Sequence, residues 1–286
     1  MRLGIKTKFI RIVSAFKLAG NVFRITGGRT SMSDAGYYPL RCYLASKDEH
    51  LFKTFKRSMA YRAVLEHVTH KQGSEYLSVA NESGLLTPED WQNFARNDSY
   101  GSPVTFTYDI LGHDMRISPT TIRYAKVLCD IISMFDTENV KSIAEIGIGY
   151  GGQCRLIRSK IPDAVYTLID LPEVIGLAEK YLSCYDECRE NIRYFDGGHM
   201  YSDDSYDLAI SNYAFSELKR DIQDMYLDKV ILRSKRGYIT YNPLSHDFLD
   251  GYSDDELLAK IPGSSRIDER PHTARGNCII IWGNKN

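Results

Sequence analysis

Four glycines follow a short apolar segment near the middle of this 286-residue chain. The segment Ser142–Ile146 leads into the glycines, which are Gly147, Gly149, Gly151 and Gly152. A helix-like segment, 153–161, comes next. Glycine lets the backbone turn sharply and approach a ligand, and the first turn of a helix presents unpaired N–H groups. The pattern predicts that a nucleotide-like cofactor binds at this turn.

Acidic residues accompany the turn at three successive strand ends. Glu145 lies two residues before Gly147, Asp170 ends the second predicted strand, and Asp196 ends the third. A carboxylate at such a place can accept hydrogen bonds from ribose hydroxyls or meet an amine near a base. Each acid alone is equally typical of a cap or a surface group. Together they indicate a ligand that carries an amino acid, a ribose and a base.

The glycines also satisfy the G-x-G-x-x-G pattern of dinucleotide-binding proteins, through Gly147, Gly149 and Gly152. An NAD(P)-dependent oxidoreductase is therefore an alternative. Two features count against it. A carboxylate at Glu145 would repel a pyrophosphate and attract a cationic amino-acid ligand, and the unit starts near residue 140, behind a long helical region.

Three motifs together resemble a known family. They are Glu145–Gly152, Leu168–Val174 and Tyr206–Leu218. They are similar to class I S-adenosylmethionine-dependent methyltransferases and, more narrowly, to the sugar O-methyltransferases of bacterial surface-glycan and natural-product gene clusters. Ser118–Leu128, Lys229–Tyr238 and Ile279–Gly283 extend the resemblance, which covers roughly residues 100–283. The family often has Gly where Ile148 stands, a departure that we expect only to repack the turn.

The resemblance implies an α/β fold: a Rossmann-like class I methyltransferase sheet, mostly parallel with an antiparallel last strand, and an N-terminal helical extension. It implies S-adenosyl-L-methionine as cofactor and a sugar hydroxyl, on a nucleotide sugar or a glycan, as acceptor. A non-sugar hydroxyl is the alternative acceptor, and a catalytically silent binding protein a further one. The residues that it assigns to the cofactor are Glu145, Gly147, Gly149, Gly151, Asp170, Leu171, Asp196, Asn212 and Tyr213.

A general base is expected near the acceptor, because a sugar hydroxyl is a poor nucleophile and a base contributes about 10²–10⁴-fold. The candidates are His246, after the fifth predicted strand, Glu217, after the fourth, and His199, after the third. Each has a structural alternative. His246 is also typical of an exposed loop, and Glu217 of the first turn of a helix starting at Ser216.

Hard oxygen ligands raise the alternative of a catalytic Mg²⁺. They come from a single stretch of the chain: Asp196, His199, Asp203, Asp204 and Asp207. Asp207 begins a strand and should point away from the strand-end site, and Asp203 and Asp204 are typical of a solvated turn. A metal is therefore not favoured.

Alternating strands and helices from residue 140 onward predict a parallel sheet covered by helices on both faces. We expect three regions: a basic amphipathic segment at 1–33, a helical lid or oligomerisation region at 34–135, and the catalytic domain at 136–286. Within the second region the sequence predicts a helix over 48–70, a helix start at Thr87, a long loop over 97–119, and a helix from Ser118 to Met134. Acceptor contacts are expected from Tyr100, Tyr108, His113, Arg116 and Arg123.

Charge and cysteine content suggest a cytoplasmic protein. The formal net charge is -1, yet residues 1–33 carry seven Lys or Arg and no acid, interleaved with apolar residues. Such a segment can contact an anionic membrane surface. The six cysteines lack paired CxxC spacing and are expected to be reduced. A homodimer is an expected assembly, and a nucleic-acid partner is not.

Overall fold

The structure, a computed structural model, describes residues 37–198 and 204–285. The basic segment 1–33 and the candidates His199 and Asp203 lie outside the described residues. In the described part of the chain, no helix is long and apolar enough to cross a membrane.

The helices in chain order are α1 Tyr38–Lys47, α2 Glu49–Phe52, α3 Met59–Arg62, α4 His70–Glu82, α5 Pro88–Ala95, α6 Pro119–Met134, α7 Gly152–Arg158, α8 Pro172–Leu182, α9 Arg220–Lys229, α10 Leu244–Leu249 and α11 Asp254–Lys260. The strands are β1 Phe106–Ile110, β2 His113–Ile117, β3 Ser142–Ile146, β4 Val165–Asp170, β5 Ile192–Asp196, β6 Leu208–Asn212, β7 Gly237–Tyr241, β8 Ser265–Asp268 and β9 Cys278–Trp282. Short 3-10 helices at Phe55–Arg57, Arg96–Ser99, Asp186–Cys188, Phe215–Glu217 and Ile231–Arg233 connect them.

Seven strands form one sheet in the order β5-β4-β3-β6-β7-β9-β8. The first five pair in parallel, and β9 runs antiparallel to both β7 and β8. The predicted fold class, a mostly parallel Rossmann-like sheet with an antiparallel last strand behind an N-terminal helical region, is confirmed. The strand order reverses between β3 and β6, and in open parallel sheets ligands bind beyond the carboxyl ends of the strands at such a point.

Apolar residues cover both faces of the sheet. Ile143, Leu168 and Ile210 belong to one hydrophobic cluster, together with residues of α6, α7 and α8. Ala144 and Ile146 belong to a second cluster, which includes residues of α9 and α11. Since successive strand side chains point to opposite faces, both faces of β3 are buried, as expected of a parallel sheet with helices on each side.

Two predicted helices prove to be interrupted. Residues 48–70 form α2, a 3-10 turn and α3 instead of one helix, because Ser58 adopts an extended conformation and its hydroxyl caps Tyr61 N at 3.3 Å. The helix predicted from Ser216 begins only at Arg220, because Leu218 and Lys219 are also extended. By contrast, the predicted helix starts at Thr87 and Ser118 are confirmed, each as an N-cap followed by proline.

The predicted loop over 97–119 was wrong, since it contains the antiparallel hairpin β1–β2. Leu111 and Gly112 link the strands and both have positive φ, at 54° and 82°. Two such residues form the type of two-residue turn that suits the twist of a hairpin. The hairpin buries Tyr108, whose hydroxyl donates to His70 O at 3.3 Å.

A buried polar network joins the N-terminal helices to the Rossmann-like unit. Asn97 is its centre: its Nδ2 donates to Gly152 O at 3.1 Å, and its Oδ1 accepts from Arg155 Nη1 at 3.2 Å. Lys56 Nζ and the Tyr181 hydroxyl donate to Asn97 O at 2.7 and 2.9 Å. The helical region is thereby fixed against α7, the helix that follows the glycine turn.

Candidate functional site

Left-handed backbone conformations and close packing explain why glycines occupy the turn. Gly147, Gly149 and Gly151 have φ values of 78°, 55° and 83°, which L side chains rarely adopt. A Cβ at Gly147 would overlap Ala214, and one at Gly149 would lie 2.6 Å from a methyl carbon of Leu65. Protein groups therefore occupy these positions, and the glycines shape the turn without each opening space for a ligand.

Asp170 connects the end of β4 to this turn. Its Oδ2 accepts a hydrogen bond from Ile148 N at 2.8 Å, and its Oδ1 accepts one from Leu171 N at 2.7 Å. Asp196 is its register partner on β5. The structure thus brings together the turn, Asp170, Leu171 and Asp196, four of the elements that the sequence assigned to cofactor binding.

Tyr226 lies beside these two acids, and sequence reasoning missed it. A Cβ at Gly197 would overlap the hydroxyl of Tyr226, which reaches over from α9. Burial raises the pKa of Tyr226, and the charges of Asp170 and Asp196 add to the effect. Only the helical pattern of α9 could have indicated this residue, and that pattern does not say which strand end the helix covers.

Glu145 is buried beneath the turn. Its side chain is 2% exposed, and its Oε2 accepts from the Tyr166 hydroxyl at 2.7 Å. Burial raises the pKa of Glu145 to about 8, so the neutral acid is the favoured form at pH 7. The sequence argument that an ionised carboxylate would repel a pyrophosphate is weakened by this burial, and direct contact of Glu145 with a cofactor stays a prediction.

A narrow cleft, partly open to solvent, lies between helices α4 and α6 and the ends of β6 and β7. Its lining residues are Tyr76, Arg123, Tyr124, Lys126, Val127, Asn212, Tyr213, Tyr238, Thr240 and Glu269. Asn212 and Tyr213, which the sequence placed next to the transferable methyl group, are among them. Their backbone neighbour Ala214 packs on Gly147, so the cleft adjoins the glycine turn.

Of the five residues predicted to contact an acceptor, Arg123 lines the cleft and is 9% exposed. The structure places the others elsewhere. Tyr100 packs edge-on against the ring of Tyr185, with centroids 5.6 Å apart, and Tyr108 packs against His70. His113 and Arg116 are exposed on β2.

Tyr213 and Glu269 form a hydrogen-bonded pair inside the cleft. The Tyr213 hydroxyl donates to Glu269 Oε1, while Glu269 Oε2 accepts from Thr273 N at 3.0 Å and Thr273 Oγ1 at 2.6 Å. Glu269 is 4% exposed and follows the short edge strand β8. Sequence reasoning missed Glu269, because β8 has no apolar pattern that would have identified a strand end.

The predicted bases do not line the cleft. His246 is exposed on α10. Glu217 is half-buried at the end of a 3-10 turn, where its Oε1 accepts from Asn242 Nδ2 at 2.8 Å and burial raises its pKa. The suggestion that Glu217 supports the first turn of a helix from Ser216 is wrong, because α9 begins at Arg220. His199 lies outside the described residues.

Of the acids in the metal alternative, Asp196, Asp204 and Asp207 lie among the described residues. Within residues 37–198 and 204–285, no group of three or more His, Cys, Asp or Glu is placed to hold a metal ion. Asp207 Oδ2 accepts from Lys141 N at 2.9 Å and Ser142 N at 3.1 Å, at the start of β3. It points away from the strand-end site, as predicted.

The polar groups near the turn fit the amino-acid end of S-adenosylmethionine. Glu66 Oε1 and the Tyr61 hydroxyl are buried without a hydrogen-bond partner in the described part of the chain. Glu66 follows Leu65, which packs on Gly149; burial raises the pKa of Glu66, while the positive charges of Lys56 and Arg123 act to lower it. A carboxylate and a guanidinium in one region suit an ammonium and a carboxylate on one ligand.

Residues 112–211 match the family model of the O-methyltransferase domain. The matched segment includes the glycine turn, Asp170 and Asp196, and it ends just before Asn212. The match supports O-methyltransferase activity and does not specify the acceptor. No curated protein matches the chain.

Several solved structures are similar to the chain at low sequence identity. PigF, solved with SAH, is 15% identical over 58% of this chain and 59% of its own length, with a TM-score of 0.41. The dimethyltransferase RosA from Streptomyces davawensis is 18% identical over 57% and 56%, at 0.40. The mitomycin 7-O-methyltransferase MmcR is 14% identical over 78% and 69%, at 0.41. The chain spans less than two thirds of PigF and RosA, and likeness at this level carries no argument about activity.

Proposed function

We propose that this protein is an S-adenosylmethionine-dependent O-methyltransferase that acts on a sugar hydroxyl. The observation that carries the proposal is that the glycine turn and the cleft adjoin each other. Ala214 packs directly on Gly147 of the turn, and its neighbour Tyr213 lines the cleft. A cofactor held at the turn and an acceptor held in the cleft would therefore meet at the end of β6.

The chain offers a partner for each part of the cofactor. Asp170 is suited to the ribose hydroxyls and Asp196 to the adenine, while Glu66 and Arg123 suit the amino-acid end. When bound, S-adenosylmethionine supplies an activated methyl group on a sulfonium centre. The protein then has to hold the acceptor oxygen in line with that methyl group and exclude water, because alignment accounts for much of the rate in such displacements.

The lining of the cleft combines tyrosine rings with side chains that carry hydrogen-bonding groups. Nine of its ten side chains carry a nitrogen or oxygen atom, and Val127 is the exception. Tyrosine rings can pack on the faces of a sugar while their hydroxyls and the groups of Asn212 and Thr240 bond to its oxygens. Thr240 Oγ1 already donates to Asn212 Oδ1 at 3.2 Å and the Tyr213 hydroxyl to Glu269, so these groups have fixed directions in which to meet the hydroxyls of an acceptor.

A competition between two acceptor classes tests the proposal. The protein is incubated with S-adenosylmethionine and either a panel of nucleotide sugars and methyl glycosides or a panel of phenols and catechols, and formation of S-adenosylhomocysteine is followed. We expect turnover with at least one member of the sugar panel and a lower kcat/KM for every phenol. Turnover restricted to phenols would retain the methyltransferase and refute the sugar acceptor.

A further inference from the structure

We propose that Tyr213 and Glu269 are the proton-accepting pair for the acceptor hydroxyl, an inference that rests on the proposed methyl transfer. Both side chains line the cleft, and the Tyr213 hydroxyl donates a hydrogen bond to the Glu269 carboxylate. The predicted bases His246 and Glu217 lie outside the lining of this cleft.

The surroundings of Glu269 suit a carboxylate that receives a proton. An ionised carboxylate accepts hydrogen bonds and donates none, with about four lone-pair sites on its two oxygens. Tyr213 occupies one site on Oε1, and the amide and hydroxyl of Thr273 occupy Oε2. Asn277 Nδ2 in turn donates to Thr273 Oγ1 at 2.8 Å, which fixes the direction of the Thr273 hydroxyl. Within residues 37–198 and 204–285, Tyr213 is the hydrogen-bond donor to Oε1.

The backbone holds Tyr213 in an unusual conformation. Its φ of 66° is uncommon for a residue with a side chain, and its amide donates to Thr240 O at 2.9 Å. Non-glycine residues in this region persist where the surroundings fix them, and they concentrate at functional sites. This geometry turns the Tyr213 ring from the end of β6 toward Glu269, 56 residues later in the chain.

The existing hydrogen bonds of Tyr213 and Glu269 define the path of the proton. The Tyr213 hydroxyl donates to Glu269 and lies 3.3 Å from Thr273 Oγ1, so one lone pair of its oxygen can accept the acceptor's O–H. As the acceptor oxygen bonds to the methyl carbon and the carbon–sulfur bond breaks with its electrons on sulfur, the acceptor proton passes to Tyr213 and the Tyr213 proton to Glu269. Burial raises the pKa of Tyr213 far above its usual range, which disfavours a tyrosinate, so the two proton transfers must occur together.

Substitutions that keep the shape of the pair test the relay. Glu269→Gln and Tyr213→Phe are compared with Tyr252→Phe and Asp224→Asn, which alter a second hydrogen-bonded tyrosine–carboxylate pair away from the cleft, formed by the buried Tyr252 and the exposed Asp224. With the nucleotide sugar or methyl glycoside that the wild type turns over fastest, we expect Glu269→Gln to lower kcat by about 10²–10⁴-fold, as for loss of a general base. Affinity for S-adenosylhomocysteine should change less than about twofold, and the control pair should retain wild-type kcat.

A measurement on the ligand-free protein complements the kinetics. The Tyr213 hydroxyl proton should give a far-downfield proton NMR signal that disappears in both Tyr213→Phe and Glu269→Gln and persists in Tyr252→Phe. Wild-type turnover with kcat unchanged in Glu269→Gln would overturn the relay and leave the proposed function intact, as would loss of turnover in His246→Ala alone. A wild type that methylates no sugar would instead refute the proposed function, and the relay with it.

Discussion

Asp170 offers the sharpest test of the cofactor site, because its carboxylate has two separable tasks. It accepts the backbone N–H groups of Ile148 and Leu171, and it is the proposed partner of the cofactor ribose. Asp207 performs the first task without a proposed role in binding: at the amino-terminal end of β3 it accepts from Lys141 N and Ser142 N, and it also pairs with Lys235 Nζ at 2.9 Å. The variants Asp170→Ala and Asp207→Ala thus remove comparable backbone contacts, and only one removes a ribose contact.

The magnitude follows from these contacts. A hydrogen bond to a charged group contributes about 1.5–3 kcal/mol, and 1.4 kcal/mol is about tenfold in affinity. We therefore expect Asp170→Ala to weaken S-adenosylhomocysteine binding about 10- to 100-fold in calorimetry. Both variants should lose about 1–3 kcal/mol of unfolding free energy in urea titrations. Equal affinities for Asp170→Ala and wild type, or equal losses of affinity in the two variants, would refute the ribose assignment.

Three further substitutions test the fold around the site. Gly147→Ala should destabilise the protein by more than Gly112→Ala in urea unfolding, because both have positive φ, at 78° and 82°, but a Cβ overlaps a neighbour only at 147. Burial raises the pKa of Glu145 from 4.5 to about 8, so its contribution to the free energy of unfolding is full below pH 4.5 and is lost as the pH rises through 8. The melting temperature of Glu145→Gln should therefore match that of wild type near pH 4.5 and exceed it at pH 8. Asn97→Ala should lower the free energy of unfolding by about 2–4 kcal/mol, since its buried partners lose their hydrogen bonds. Asn139→Ala, at an exposed position, should lower it by less than about 0.5 kcal/mol in the same assay.

The alternation of strand and helix after residue 140 was predictable because local signals agree there. Proline and an N-cap position set the start of α8 at Pro172, and the apolar run of β3 ends where the glycines begin. The hairpin β1–β2 was missed because composition was weighed above alternation. Its signal was present, since buried Tyr108 and Ile110 alternate with exposed residues before the turn at Gly112.

The proximity of Asp170 and Asp196 was predictable from the sequence and the contact between Tyr213 and Glu269 was not, for a physical reason. Asp170 and Asp196 end successive parallel strands, so the sheet itself brings them together. Glu269 reaches Tyr213 through β8, an edge strand of four residues with mostly exposed side chains and no alternating apolar pattern. No local sequence pattern predicts such a long-range contact, and the same is true of the contact between Tyr226 and Gly197.

The central claim is that the turn at Gly147–Gly151 binds S-adenosylmethionine, and calorimetric titration of the full chain with S-adenosylhomocysteine and, separately, with NADH tests it most directly. We predict saturable binding of S-adenosylhomocysteine that Asp170→Ala weakens and Asp207→Ala preserves, with no comparable binding of NADH. Binding of NADH with no binding of S-adenosylhomocysteine would contradict the claim and favour the oxidoreductase alternative.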